Sequence, residues 1–369
     1  MLSLKWKPLG LCSFLFLQCL LSVRAADMAP GAGAAPVWRD IVWGSELLST
    51  SASAYVSAML GDGKAYGGNT SGDRNMQRRA VELRFGPEFD LSVFGMSSLI
   101  SSGAKARVDF IHYNEGHPEN NHRDGFGVQL VYSRPFHKRF TGEFGIGPYL
   151  SMNTTTIGGA EINDSNLGIL SSLALRIGLD EYSPGLHVRI SLNHVSMRNV
   201  HSSNAVLVGL GKTFNRLPSY ASTGSNRINP LWIGASAGRS ITNHGGTEST
   251  NGSSVYVKQY YRQTWAASIA AIVEGDDRVR VDRRGVAVQG WFVQPLSEKW
   301  TVSAGLGPYV AHNERASNGT RVHGLITLQA DRSLTNTVKV FASFSRVKTF
   351  MEKNDRDLFR IGLTKQFRH

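Results

Sequence analysis

The chain has 369 residues, a net charge of +12 and two cysteines, Cys12 and Cys19, both near the N-terminus. Beyond them there is no disulfide framework and no Cys-based metal site, and the surplus of cations points to an acidic partner: nucleic acid, an anionic membrane surface or an acidic glycan. Outside the N-terminus no apolar run reaches the ~18 residues that a transmembrane helix needs.

The first elements read as an export signal. Lys5 and Lys7 precede an apolar stretch from Leu9 to Ser22, and Val23-Arg24-Ala25 supplies small residues for cleavage after Ala25. Residues 1–25 are therefore expected to be removed. Cys19 follows Phe-Leu-Gln, a poor lipoprotein box. Residues 26–49 form an Ala/Pro/Gly-rich lead-in ending in VWRDIVWGSELL, which suits either an interfacial helix or a lead-in strand.

From residue 50 onward the pattern alternates with period two. In 140–152, Phe140, Phe144, Ile146, Pro148, Leu150 and Met152 share one face, and Thr141, Glu143, Gly145, Gly147, Tyr149 and Ser151 share the other. In 126–133, Phe126, Val128, Leu130 and Tyr132 oppose Gly127, Gln129, Val131 and Ser133. Such strands exceed the roughly 5–6 residues of a soluble sandwich, and their second face carries Gly, Gln, Glu and Arg. An apolar face toward lipid and a polar or small face inward is the pattern of a transmembrane β-barrel. Short connections at 135–138, 180–185, 295–299 and 333–336 are expected to be periplasmic. Long ones near 61–75, 114–124, 153–164, 243–253 and 312–319 are expected to be external. The stretch 87–103 is the hardest to assign.

The chain also repeats. Residues 125–153 align with 285–313, matching Gln129 to Gln289, Pro135 to Pro295, and Gly147-Pro148-Tyr149 to Gly307-Pro308-Tyr309. VLVGLGKTF (206–214) matches LFRIGLTKQF (358–367), and both resemble the terminal signal by which outer-membrane barrels are recognised by the barrel assembly machinery. About eight strands fall in a first repeat (50–214) and eight in a second (230–369), joined by a linker at 215–229. The expected fold is all-β: one transmembrane antiparallel barrel of about sixteen strands, enclosing an aqueous lumen, or alternatively two separate eight-stranded barrels.

The stretch with chemistry is RISLNHVSMRN, residues 189–199. Ile190, Leu192, His194 and Ser196 share one face of a strand, so a His and a Ser lie on the lipid side, about 6.5–7 Å apart between Cα atoms. A histidine within reach of a serine can act as its base. At these residues the first repeat resembles the outer-membrane lipid A 3-O-deacylase (PagL) family, eight-stranded barrels with a lipid-facing His-x-Ser. The resemblance implies that Ser196 attacks a lipid A ester and His194 is its base, with a Glu on a neighbouring strand orienting the imidazole. Two positions depart from the family: Met197 stands where Asn usually follows the Ser, and the orienting Glu would fall near Val208. Glu161 or Asp164, leading into the neighbouring strand, is expected to take that role. In the second repeat the corresponding positions are Phe344 and Arg346, so it lacks the pair.

Two further clusters stand out. HYNEGHPENNHRDG (112–125) holds His112, Glu115, His117, His122 and Asp124, but their spacing fits no closed metal site. It reads as an outer loop bonded to itself or to lipopolysaccharide, with no metal and no cofactor. VEGDDRVRVDRRG (273–285) carries Arg278, Arg280, Arg283 and Arg284, whose guanidinium forks suit lipid phosphates. The basic residues are scattered along strands with no nucleic-acid-binding module. The expectation is a bacterial outer-membrane barrel whose partner is lipopolysaccharide: a serine ester hydrolase of lipid A or, failing that, a non-enzymatic pore or lipopolysaccharide-binding scaffold.

Overall fold

The computed structural model describes residues 53–66, 80–90, 103–116, 121–157, 160–198, 200–214, 231–243, 247–261, 264–316, 319–350 and 354–367. The expected signal peptide, the lead-in, the linker and most of 87–103 lie outside the described residues. The first repeat supplies β1 (Ser53–Tyr66), β2 (Ala80–Asp90), β3 (Lys105–Gly116), β4 (Asn121–His137), β5 (Phe140–Ile157), β6 (Ala160–Gly178), β7 (Leu186–Ser196) and β8 (Ser202–Phe214). The second supplies β9 (Leu231–Thr242), β10 (Thr250–Tyr260), β11 (Trp265–Asp276), β12 (Asp282–Pro295), β13 (Trp300–Asn313), β14 (Thr320–Ser333), β15 (Val338–Lys348) and β16 (Arg356–Phe367).

These strands close as two barrels. In the first, β1 pairs with β8; in the second, β16 pairs with β9. The single sixteen-stranded barrel is corrected to its alternative, and the wide lumen it would have enclosed is not formed. The reason is edge satisfaction: β8 offers its second edge to β1 over thirteen residue pairs, Ala54↔Phe214 to Tyr66↔Ser202, leaving nothing for the second repeat to join.

Outward faces are apolar. Leu60, Leu130, Phe144, Leu173, Leu192, Val206 and Leu210 are exposed on the first barrel, and Val255, Ile269, Leu306, Val322, Ile361 and Leu363 on the second. Interiors are polar and filled. This inverts the order of a soluble barrel and makes both transmembrane barrels. Inside the first, Glu143 accepts hydrogen bonds from Arg107 (2.8 Å) and Arg189 (2.9 Å) and pairs with Arg176 (3.0 Å). Arg84 donates to Glu82 (2.7 Å), Asp109 (3.0 Å) and Gln129 (3.1 Å). Opposite charges interleave around the ring, so each buried guanidinium meets carboxylates from neighbouring strands.

The two barrels use the residues aligned between 125–153 and 285–313 alike. Gln129 donates to the Leu170 carbonyl (2.8 Å) and Gln289 to the Leu325 carbonyl (3.3 Å). A Cβ at Gly147 would collide with the Val128 carbonyl oxygen, and one at Gly307 with that of Val288, which is the physical demand behind the shared Gly-Pro-Tyr.

Two expected outer loops are strands. Residues 112–116 and 121–125 end β3 and begin β4, while 153–157 and 160–164 extend the hairpin of β5 and β6. Polar side chains do not end a strand whose backbone continues to pair. The potential ligands of this stretch are thereby split between faces. Glu115 turns inward, to Arg123 (3.3 Å) and Ser203 (2.5 Å), while Asp124 turns outward. His117 lies outside the described residues.

The first barrel's β2–β4 face meets the second barrel. Phe110 stacks on Phe292 with ring centroids 5.0 Å apart, and Phe344 packs against His112 (5.1 Å) and Phe126 (6.3 Å).

Candidate lipid-facing site

The turn after β6 sets the position of the His-x-Ser pair. Gly185 adopts φ of +73°, its N–H donates to the Asp180 carboxylate (2.8 Å), and Leu179 N–H donates to the Leu186 carbonyl (2.8 Å). Gly185 suits a left-handed backbone that a side chain would strain. The turn fixes the β6–β7 register, with Ser171 opposite His194 and Ile169 opposite Ser196. Along β7, Arg189, Ser191, Asn193 and Val195 are buried inward, and Ile190, Leu192 and Ser196 are exposed outward, with His194 half-buried among them. The pair lies at the end of β7 that leads into the 197–201 connection to β8, just above the apolar surface of Leu192, Val206 and Leu60.

Three strands converge on the imidazole. Asn204 of β8 lies directly opposite His194, and its Oδ1 is 2.8 Å from Nδ1. Tyr66, the last residue of β1, places its hydroxyl 3.0 Å from Nδ1 and 3.5 Å from Nε2, with its ring stacked on the imidazole at 6.0 Å between centroids. A carboxamide oxygen can only accept, so the bond to Asn204 puts the imidazole proton on Nδ1 and leaves the lone pair on Nε2. That is the tautomer a general base requires. Ser196 Oγ has no hydrogen-bond partner among the described residues. Lys64, opposite Asn204 on β1, is exposed beside the group.

The expected acids are elsewhere. Asp164 pairs with Asn153 and Glu161 with Thr156, seven and ten residues along β6 from Ser171. At roughly 3.3 Å per residue they stand roughly 23 and 33 Å beyond the level of His194. The register thus corrects the expectation that either orients the histidine; Asn204 does so. Val208 pairs with Ile190 and is exposed to lipid. Asn204 was detectable in principle, because a β7–β8 hairpin alignment places it across from His194. Tyr66 was not, since it reaches the site only when β1 closes the barrel.

The arginine group divides. Arg283 points into the second barrel, where Nε and Nη2 donate to Glu274 at 2.7 and 2.9 Å, so it is unavailable to a lipid phosphate. Its parity along β12 decides this. Arg284, one residue on, faces outward and pairs with Glu314 (2.6 Å). Arg278 is exposed 3.7 Å from Glu248, and Arg280 is half-buried in the same connection. Arg315 is engaged by Asp276, its Nε and Nη2 donating to the carboxylate at 2.6 and 2.7 Å. Below Arg284, a groove of about 540 Å³ opens on the outer face of β9–β12, lined by Ala235, Ser253, Val255, Ala271, Val273 and Val286.

No family model and no curated protein matches the chain. Among solved structures it is similar to Neisserial surface protein A at 14% identity, with 44% of this chain and 97% of that one covered and a TM-score of 0.31. It is similar to Ail, the attachment invasion locus protein of Yersinia pestis, at 10% identity, covering 44% and 98% with a TM-score of 0.32. The COG4313 outer membrane channel of Pseudomonas putida F1 is 11% identical over 92% of this chain and 100% of that one, with a TM-score of 0.21.

Proposed function

We propose that this outer-membrane barrel protein hydrolyses an acyl ester of lipid A in the outer leaflet, in the manner of the lipid A 3-O-deacylases. The observation that carries the reading is the outward-facing Ser196–His194–Asn204 group, poised above an apolar surface. An acyl chain lying along Leu192, Val206 and Leu60 would bring its ester to the level of Ser196. His194 Nε2 takes the Ser196 proton as Oγ attacks the ester carbonyl. The tetrahedral intermediate collapses to an acyl-serine, and the imidazolium returns the proton to the departing sugar hydroxyl. Water, deprotonated by the same nitrogen, then releases the fatty acid. A neutral Asn suffices to orient such a histidine, as in Cys-His-Asn hydrolases. Expression in a host with fully acylated lipid A, followed by mass spectrometry of the extracted lipid, is expected to show loss of one acyl chain and release of a fatty acid. Unchanged lipid A would sink the proposal.

The groove beneath Arg284 favours a second, compatible reading in the second barrel: a lipid-binding scaffold. Its size lies within the roughly 300–1,000 Å³ of small-molecule sites, and a chain seated there would leave an anionic headgroup near Arg284, Arg278 and Arg280. The double substitution Ala271→Phe with Arg284→Gln is expected to cut lipid A co-purifying with the protein about tenfold in its second-barrel-bound fraction, a fold-change worth ~1.4 kcal/mol. Equal retention, measured by quantitative mass spectrometry, removes this reading and leaves the hydrolase untouched.

A further inference from the structure

Among the described residues, one buried arginine does not point into a barrel. On β15, Phe341, Ser345 and Val347 face inward, so Arg346 faces the membrane. Yet it is buried, at 2% side-chain exposure. Its Nη2 donates to Asp124 Oδ2 of β4 (2.5 Å) and to Asp357 Oδ2 of β16 (3.0 Å), and its Nε also bonds Asp357. All three residues have outward parity, two on the second barrel and one on the first. Beside them Phe344 fills the space between His112 and Phe126, and lower down Phe292 meets Phe110, which itself stacks on Phe85. Phe85 and Phe292 also have outward parity, and both are buried at 8% and 7%.

We infer that the β2–β4 face of the first barrel is a docking surface for the second barrel of the same chain, locked by a lipid-shielded charge cluster of Arg346 with Asp124 and Asp357. An outward guanidinium between barrels is unfavourable in hydrocarbon unless carboxylates meet it. Arg346 has one on its own barrel and gains the second only by docking. Charge complementarity therefore selects the partner face, and the aromatic contacts exclude lipid around it. The arrangement also serves the hydrolase site. In the closed order β1–β8, β3 lies four strands from β7, diametrically across the ring. Docking through β3 and β4 leaves the His194 face open to lipid.

The test uses the full chain with Cys12 and Cys19 replaced by Ser, a protease site placed within residues 215–229, and cysteines at Phe126 and Phe344. Oxidation in the membrane followed by linker cleavage is expected to leave the halves joined as one species of monomer mass, separated by reductant. A control pair at Leu192 and Phe344 should not join. Arg346→Asp is expected to lower the yield at least fivefold, and the swap Asp124→Arg with Arg346→Asp to restore it. Heat-modifiable gel mobility reports that each variant remains folded. Absence of the cross-link in a folded protein, a cross-link between two chains, or no recovery in the charge swap would each overturn the inference.

Discussion

Ser196→Ala is expected to abolish release of fatty acid while leaving the barrel folded. Removing the attacking oxygen from a serine hydrolase typically lowers turnover by about 10⁴-fold or more. The side chain is exposed and has no hydrogen-bond partner among the described residues, so its loss leaves no buried group unsatisfied. Asn204→Ala separates this reading from its neighbours. Without Oδ1 at 2.8 Å the imidazole is no longer held with its proton on Nδ1, and turnover is expected to fall about 10²- to 10⁴-fold. Asn204→Asp retains an acceptor and should recover much of that loss. Rates are read from fatty acid released by purified protein in lipid A–detergent micelles. Full activity in Ser196→Ala would remove Ser196 from the reaction; full activity in Asn204→Ala would remove the orienting role of Asn204.

Glu143→Leu is expected to be the most damaging single change inside the first barrel. The carboxylate is shared by Arg107, Arg176 and Arg189, which project from β3, β6 and β7. Deleting it leaves three guanidinium groups crowded in a closed interior. Arg107 retains Asp109 at 2.6 Å and Arg189 retains Glu82 at 3.1 Å, but the charge balance of the layer is lost. Breaking a buried pair by removing one partner costs about 3–5 kcal/mol. Urea unfolding in lipid vesicles, followed by the heat-modifiable shift on gels, should show that loss for the first barrel. The second barrel has its own closed ladder and should unfold at an unchanged midpoint. A midpoint for the first barrel within error of the parent would mean that the network does not stabilise it.

Alternation is legible because it is local. Whether Leu192 or Asn193 faces lipid depends only on the period of a strand and on which set is apolar, and both are written in adjacent residues. The same reasoning placed His194 and Ser196 outward before any fold was known. It failed where polarity was read as a loop, at 112–116, 121–125, 153–157 and 160–164, because backbone pairing continues past the apolar band. It failed again for Arg283, placed among phosphate-binding residues although its parity sends it to Glu274.

What the sequence by itself determined is the strand inventory, the lipid and interior faces and the outward His-x-Ser. Closure was decided only by tertiary structure. Eight plus eight strands and one ring of sixteen contain the same local signals, and differ only in whether β8 pairs with β1 or with β9. That choice joins segments 136 to 160 residues apart, Tyr66 to Ser202 at one end and Ala54 to Phe214 at the other, and the terminal-type signal at 206–214 marks only where β8 ends, not which strand it pairs with. The site followed from the same event. His194 and Asn204 are hairpin neighbours, but Tyr66 reaches them only because β1 returns to close the ring. Asp124 and Arg346 likewise meet only once both rings exist, since they stand on outward faces of different barrels.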